Sequence, residues 1–195
     1  MKDRLEIFIA HVREVSENEG FIHHDWFVEY HLEIVEKIAL DLCGIYVEAD
    51  KDKVRLLCWL HDYGKILDFD NQYTKTLSAG REKLVEIGFD EKFVDEVIGD
   101  IAVIDRKDRN ELERASIEVK IVSSSDAASH LVGPFFQMWW YENPGRDYRQ
   151  LMQDNIKKAM IDWDRKVVIP EIKKAFKARH DMILEQSGVI PSKFF

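Results

Sequence analysis

The ten residues LLCWLHDYGK, Leu56 to Lys65, join an apolar helical stripe to an adjacent histidine and aspartate. Leu56, Leu57, Leu60 and Tyr63 recur at the spacing of an amphipathic helix, not at the alternation of a strand. The spacing predicts a helix from about Asp52 to Lys65 with those side chains inward. His61 lies one turn after Leu57, and Asp62 stands where an unpaired charge is costly. The pair is either accommodated at a core edge or held there by a partner of opposite charge.

Outward from this stretch the chain reads as helix in both directions. Leu5, Phe8, Ile9, Val12 and Val15 make a first stripe, and Gly20 is its stop. Asp25 is a predicted N-cap for a helix to Gly44, striped by Val28, Leu32, Val35, Ile38, Ala39 and Leu42. Leu77, Leu84 and Ile87 predict a helix ending at Gly88, and Asp90 caps one carrying Val94, Val97 and Ile101. The run DRKDRNE, Asp105 to Glu111, reads as a loop or helix end. A further helix carries Leu112, Ala115, Val119 and Val122 and stops before Gly133-Pro134. Helices over 147–168 and 170–186 follow, with Pro170 as a break or first-turn residue. The expected fold is all-α, a single compact domain over 1–195. Its motif core spans about 20–135 and a helical elaboration about 136–195.

Composition narrows the function. The chain has 195 residues, 46% of them hydrophobic, enough to bury a substantial core. The formal charge of −9 disfavours bulk nucleic-acid binding but leaves room for a small phosphate in a locally positive pocket. No apolar run has the length of a membrane span. The charged N-terminus carries no visible secretory signal, and Cys43 and Cys58 lie in apolar segments as reduced core residues. The expectation is a cytoplasmic protein.

Three helices each aim a ligand-type side chain inward. His31 shares the stripe of Val28, Val35 and Ile38. Asp126 follows Ala115, Val119 and Val122 at steps of four, three and four, among the small residues of SSSDAAS. His61 and Asp62 complete the set. Buried carboxylates need pairing or a metal. Two imidazoles and two carboxylates suit one borderline first-row divalent ion, with positions left for water and substrate.

The ordered set resembles the HD superfamily of metal-dependent phosphohydrolases. CWLHDYGK, Cys58 to Lys65, is similar to that family's central motif. HLEIVEKIA from His31 is similar to its first histidine helix, and KIVSSSDAASH from Lys120 to its last aspartate motif. HHDW, His23 to Trp26, resembles a lead-in of one branch. The resemblance covers about 20–135. It implies a divalent metal ion (Mn, Fe, Co, Ni, Zn or Mg) on His31, His61, Asp62 and Asp126. It also implies hydrolysis of a small phosphate ester, a nucleotide above all. The alternative is a regulatory domain that binds metal or nucleotide without turnover. Binuclear members carry extra histidines after the doublet. None stands here between His61 and His130, so a single ion is expected, with Ser78 and Asp105 near the places of further ligands.

The remaining assignments rest on placement. Lys65, four residues after His61, is expected on the same face as a phosphate clamp. Asp62 ligates the metal, and Asp68 or Asp70 orients the attacking water. His24, with His23, precedes the His31 helix and is a candidate substrate contact. His130, one turn past Asp126, is another. The aromatic run of Phe135, Phe136, Trp139, Trp140 and Tyr141 reads as core, or as the surface of a homodimer, rather than as a base-stacking pocket.

Overall fold

In the computed structural model, which describes residues 1–194, no strand is present among the described residues. The helices are α1 (Lys2–Ser16), α2 (Glu33–Cys43), α3 (Lys51–Leu60), α4 (Tyr63–Leu67), α5 (Gln72–Ile87) and α6 (Glu91–Arg106). They continue as α7 (Arg109–Arg114), α8 (Ile117–Ser129), α9 (Phe135–Tyr141), α10 (Tyr148–Ile161) and α11 (Pro170–Gln186). One π-helical turn (Val28–Leu32) leads into α2, and another (Asp162–Lys166) ends α10.

Local chemistry explains most boundaries. The Asp50 carboxylate accepts from the amides of Asp52 and Lys53 to start α3, and Asp90 accepts from Lys92 and Phe93 to start α6. Gly88 takes a left-handed φ of 92° just past α5, where a side chain would be strained. Pro170 opens α11 in its first turn.

Four expected boundaries move. Asp25 lies in a turn and caps no helix; the segment begins instead as the π turn holding His31. The expected helix through Lys65 stops at Leu60, because Asp62 leaves helical geometry (φ −114°, ψ 14°) before α4 resumes. Helices α7 and α8 are separate: Ala115 is extended, and Ser116 accepts from the Val119 amide to start α8. The helix expected over 147–168 is regular only to Ile161.

The core gathers α1, α2, α3, α6 and α8, with Phe8, Leu32, Leu57, Trp59, Ile101 and Val122 inaccessible or nearly so. α2 packs against α3 and α8, which brings the segments of His31, His61 and Asp126 side by side. α4 packs tightly on α5. A Cβ on Gly64 would stand 2.1 Å from the Gln72 carbonyl oxygen and 2.2 Å from the Thr76 amide nitrogen. The Gly64 amide donates to Thr76 Oγ1 at 2.9 Å. Glycine at this point of the HDYGK run is therefore a packing requirement.

The C-terminal third is clasped by α8. The Ser123 hydroxyl donates to the Lys166 carbonyl at 3.1 Å, and Ser124 Oγ accepts from the amides of Val168 and Ile169. The serine run beside Asp126 fixes the chain that carries Lys166.

Candidate metal centre

The helix break at His61–Asp62 turns both side chains of the doublet into the same cavity, of about 290 Å³. The His31 and His61 ring centroids are 5.4 Å apart, within reach of one ion. His31 Nε2 lies 3.2 Å from Asp62 Oδ2 and 3.8 Å from Asp126 Oδ1. His61 Nε2 lies 3.6 and 3.7 Å from the same two atoms. Donors sharing one ion at bonds of about 2.1 Å stand roughly 3.0–3.5 Å apart. The four histidine–carboxylate separations lie within or just beyond that range.

The tautomers are fixed from outside. His61 Nδ1 donates to the Cys58 carbonyl at 2.7 Å. The Ser129 hydroxyl gives its proton to the Asp126 carbonyl, so its oxygen accepts from His31 Nδ1 at 3.1 Å. Each ring therefore turns its Nε2 toward the carboxylates, and both Nε2 atoms are buried with no hydrogen-bond partner. Outer partners of this kind orient metal-ligating histidines. The donor set fits a divalent ion.

His130 joins the cluster. It is buried, stacked on His31 at 5.1 Å, with Nε2 3.4 Å from Asp126 Oδ1. His31, Asp126 and His130 form a second group able to hold an ion, beside His31, His61 and Asp62. The residue expected at the substrate is thus placed beside the candidate ligands His31 and Asp126.

Lysines compensate the carboxylates. Lys65 pairs with Asp62 Oδ2 and Lys166 with Asp126 Oδ2, while Lys158 Nζ is 2.5 Å from Asp162 Oδ2. Asp162 Oδ2 is also 2.8 Å from His130 Nδ1. Burial alone would raise the pKa of Asp62 and Asp126. Lys65 and His61 outweigh it at Asp62, and Lys166 and His61 at Asp126, so both stay well below the carboxylate range. Burial lowers His31 to about 4 and His130 to about 3, keeping both neutral. At His61 the charges of Asp62 and Asp126 outweigh burial and raise the pKa. Burial also lowers Lys158 to about 8.

Lys65 reaches the cavity from α4 rather than by continuing the His61 helix, and there it pairs with Asp62. Asp68 is displaced from its expected role. Its carboxylate accepts from the Asn71 amide and side chain, it is absent from the cavity wall, and Asp70 is exposed. His24 is likewise turned away, with Nδ1 on the Phe21 carbonyl, while its neighbour His23 lines an adjoining cavity. Ser78 is bound to the Thr74 carbonyl on the exposed side of α5. Asp105 does line the cavity of His61 and Asp62. Its Oδ2 is buried without a partner, and burial reinforced by the Asp62 charge raises its pKa to about 7.

Asp162, Lys158 and Lys166 were not singled out in the sequence. A signal existed: Leu151, Asn155, Ala159, Asp162 and Lys166 follow one another at helical steps and are all buried. The inward-stripe reasoning that found Asp126 finds Asp162 and Lys166 too. The aromatic run also divides. Phe136 packs in a small core cluster, Tyr141 is exposed, and Phe135 and Trp139 line the adjoining cavity.

A cavity lined by a His-Asp doublet and a downstream aspartate, with an upstream histidine against them, on an all-α scaffold defines a class. The family model of the HD domain matches residues 28–131, a little over half of the chain, and the protein belongs to the HD domain family. HD domains bind divalent metals, and the family is generally one of hydrolases. Comparison with curated proteins and with solved structures gives no match. No helix among the described residues is long and apolar enough to cross a membrane.

Proposed function

We propose that the protein is a metal-dependent phosphohydrolase acting on a small phosphate ester. One observation carries the reading: the partnerless Nε2 atoms of His31 and His61 face the carboxylates of Asp62 and Asp126 beside a cavity that Lys65, Lys158 and Lys166 line. His31, His61, Asp62 and Asp126 would hold the ion, with His130 in reserve. When bound, such an ion supplies a Lewis acid and charge neutralisation for phosphoryl transfer.

The chain's own groups do the rest. The ammonium groups of Lys65 and Lys158 stand at the mouth shared with the adjoining cavity and attract the phosphate dianion. Lys166 holds the Asp126 carboxylate in place, and Asp162 holds His130. Asp105 replaces Asp68 as the proton-handling group. Its pKa near neutrality lets Oδ2 take a proton from water or return one to the leaving oxygen.

The test is a screen of phosphorylated metabolites with Mn²⁺, Co²⁺, Ni²⁺ and Mg²⁺. Turnover should be found with at least one ion and should vanish in His61→Ala and Asp126→Asn. Metal binding without turnover of any ester would favour the regulatory reading.

A further inference from the structure

Beside the metal cavity lies a second one of about 260 Å³, and Lys65, Phe135 and Lys158 line both. Its other walls are largely aromatic: Trp26, Phe27 and Trp139. Trp26 and Phe135 meet edge to face at 5.7 Å. Flat rings of this kind receive a flat ligand, because every heteroaromatic ring has a face that stacks.

Besides the two lysines, three polar side chains interrupt this wall: His23, which is bound to Glu142, Asp154, which pairs with Arg146 at 2.9 Å, and Glu142 itself. Glu142 comes from the end of α9, and its side chain is only 9% exposed. Its Oε1 accepts from Trp26 Nε1 at 2.6 Å and from His23 Nδ1 at 2.8 Å. Its Oε2 is buried with no hydrogen-bond partner. A buried acceptor left unpaired costs free energy. An aliphatic ligand would satisfy the rings and leave Oε2 orphaned. A ring edge bearing only acceptors would set like dipoles against the carboxylate, although Trp139 Nε1 in the same wall is a buried donor without a partner. A ring edge bearing both an N–H group and a ring-nitrogen acceptor meets all of these demands.

We propose that this cavity is the specificity pocket of the enzyme and takes an aminated nucleobase, stacked among the aromatic rings and donating an N–H to Glu142 Oε2. The proposal rests on the phosphohydrolase reading for its second half: the attached phosphate then falls between Lys65 and Lys158, at the entrance to the metal cavity. The base itself binds by stacking and by Glu142, neither of which needs metal or turnover.

The experiment titrates the wild-type protein with adenosine and with purine riboside, following the intrinsic tryptophan fluorescence, to which Trp26 and Trp139 of the cavity wall contribute. The two nucleosides share ring system and sugar and lack phosphate; only adenosine carries the exocyclic amine. Adenosine should bind about ten-fold more tightly, as expected for a hydrogen bond to a charged group. In Glu142→Gln the donors of Trp26 and His23 keep the amide oxygen at the Oε1 position. The new NH₂ then takes the place of Oε2, and the preference should invert toward purine riboside. Equal affinities in the wild type, or no saturable quenching by adenosine, would overturn the proposal without recourse to the variant. Absence of turnover on every phosphate ester, with the adenosine preference intact, would count against the hydrolase and in favour of the pocket.

Discussion

At the scale of single residues, the site is a balance of buried charges that would be untenable one by one. Asp105 is the clearest case, a carboxylate with a buried orphan oxygen and a pKa near 7. Its folded pKa lies above the unfolded value of about 3.9. The folded state therefore holds a proton that the unfolded state has released, and stability is lost as pH rises from about 4 through 7. Asp105→Asn should remove that loss. Metal-free variant and wild type should melt alike near pH 4, and the variant higher near pH 8, by calorimetry at both pH values. Lys166 tests the opposite sign of charge. Lys166→Met leaves Asp126 without its buried cation, while Asp162 keeps Lys158, and should cost the metal-free protein about 3–5 kcal/mol in chemical denaturation. A saturating divalent ion should restore more stability to the variant than to the wild type. Lys65 differs because it sits partly open at the cavity mouth. Lys65→Ala should depress kcat or raise KM on a confirmed substrate while elemental analysis finds metal content near normal.

At the scale of elements, the site depends on interrupted helices. The break between α3 and α4 turns His61 and Asp62 into one cavity, and α4 can then lie on α5 only because residue 64 has no side chain. Gly64→Ala should destabilise by about 1–3 kcal/mol in urea melts and weaken metal binding with it, since Asp62 and Lys65 flank the contact. Cooperative folding with unchanged stability would show that the α4–α5 contact is not tight. The regular parts of this architecture were legible in advance. Gly88 ends α5, Asp90 starts α6 and Pro170 starts α11, because each acts through its own backbone geometry. The interruptions were not. A π turn at Val28–Leu32 keeps His31 and Leu32 buried without altering the apolar spacing enough to announce itself. The stop at Leu60 has no proline or capping residue to mark it. The inward stripes placed His31, His61, Asp62 and Asp126 correctly as neighbours. Asp68 was misplaced because a loop's course is set by local bonds, here to Asn71, that side-chain periodicity does not encode.

At the scale of the whole molecule, residues beyond the HD match complete the cavity. Lys158 and Lys166 reach it from the C-terminal third, and Trp139 and Glu142 shape the lobe beside it. The serines of α8 that carry Asp126 also clasp the backbone of Lys166 to Ile169, so ligand and counter-charge are fixed by one helix. Everything in this account turns on whether the four side chains that meet there hold one divalent ion. The most direct measurement is metal per chain by elemental analysis after equilibrium dialysis against Mn²⁺, Co²⁺ or Ni²⁺, made on the wild type and on His31→Ala, His61→Ala and Asp126→Asn. About one tightly held ion in the wild type and nearly none in folded variants is the predicted result. Wild-type metal at background level, or variants that retain the wild-type amount, would contradict it.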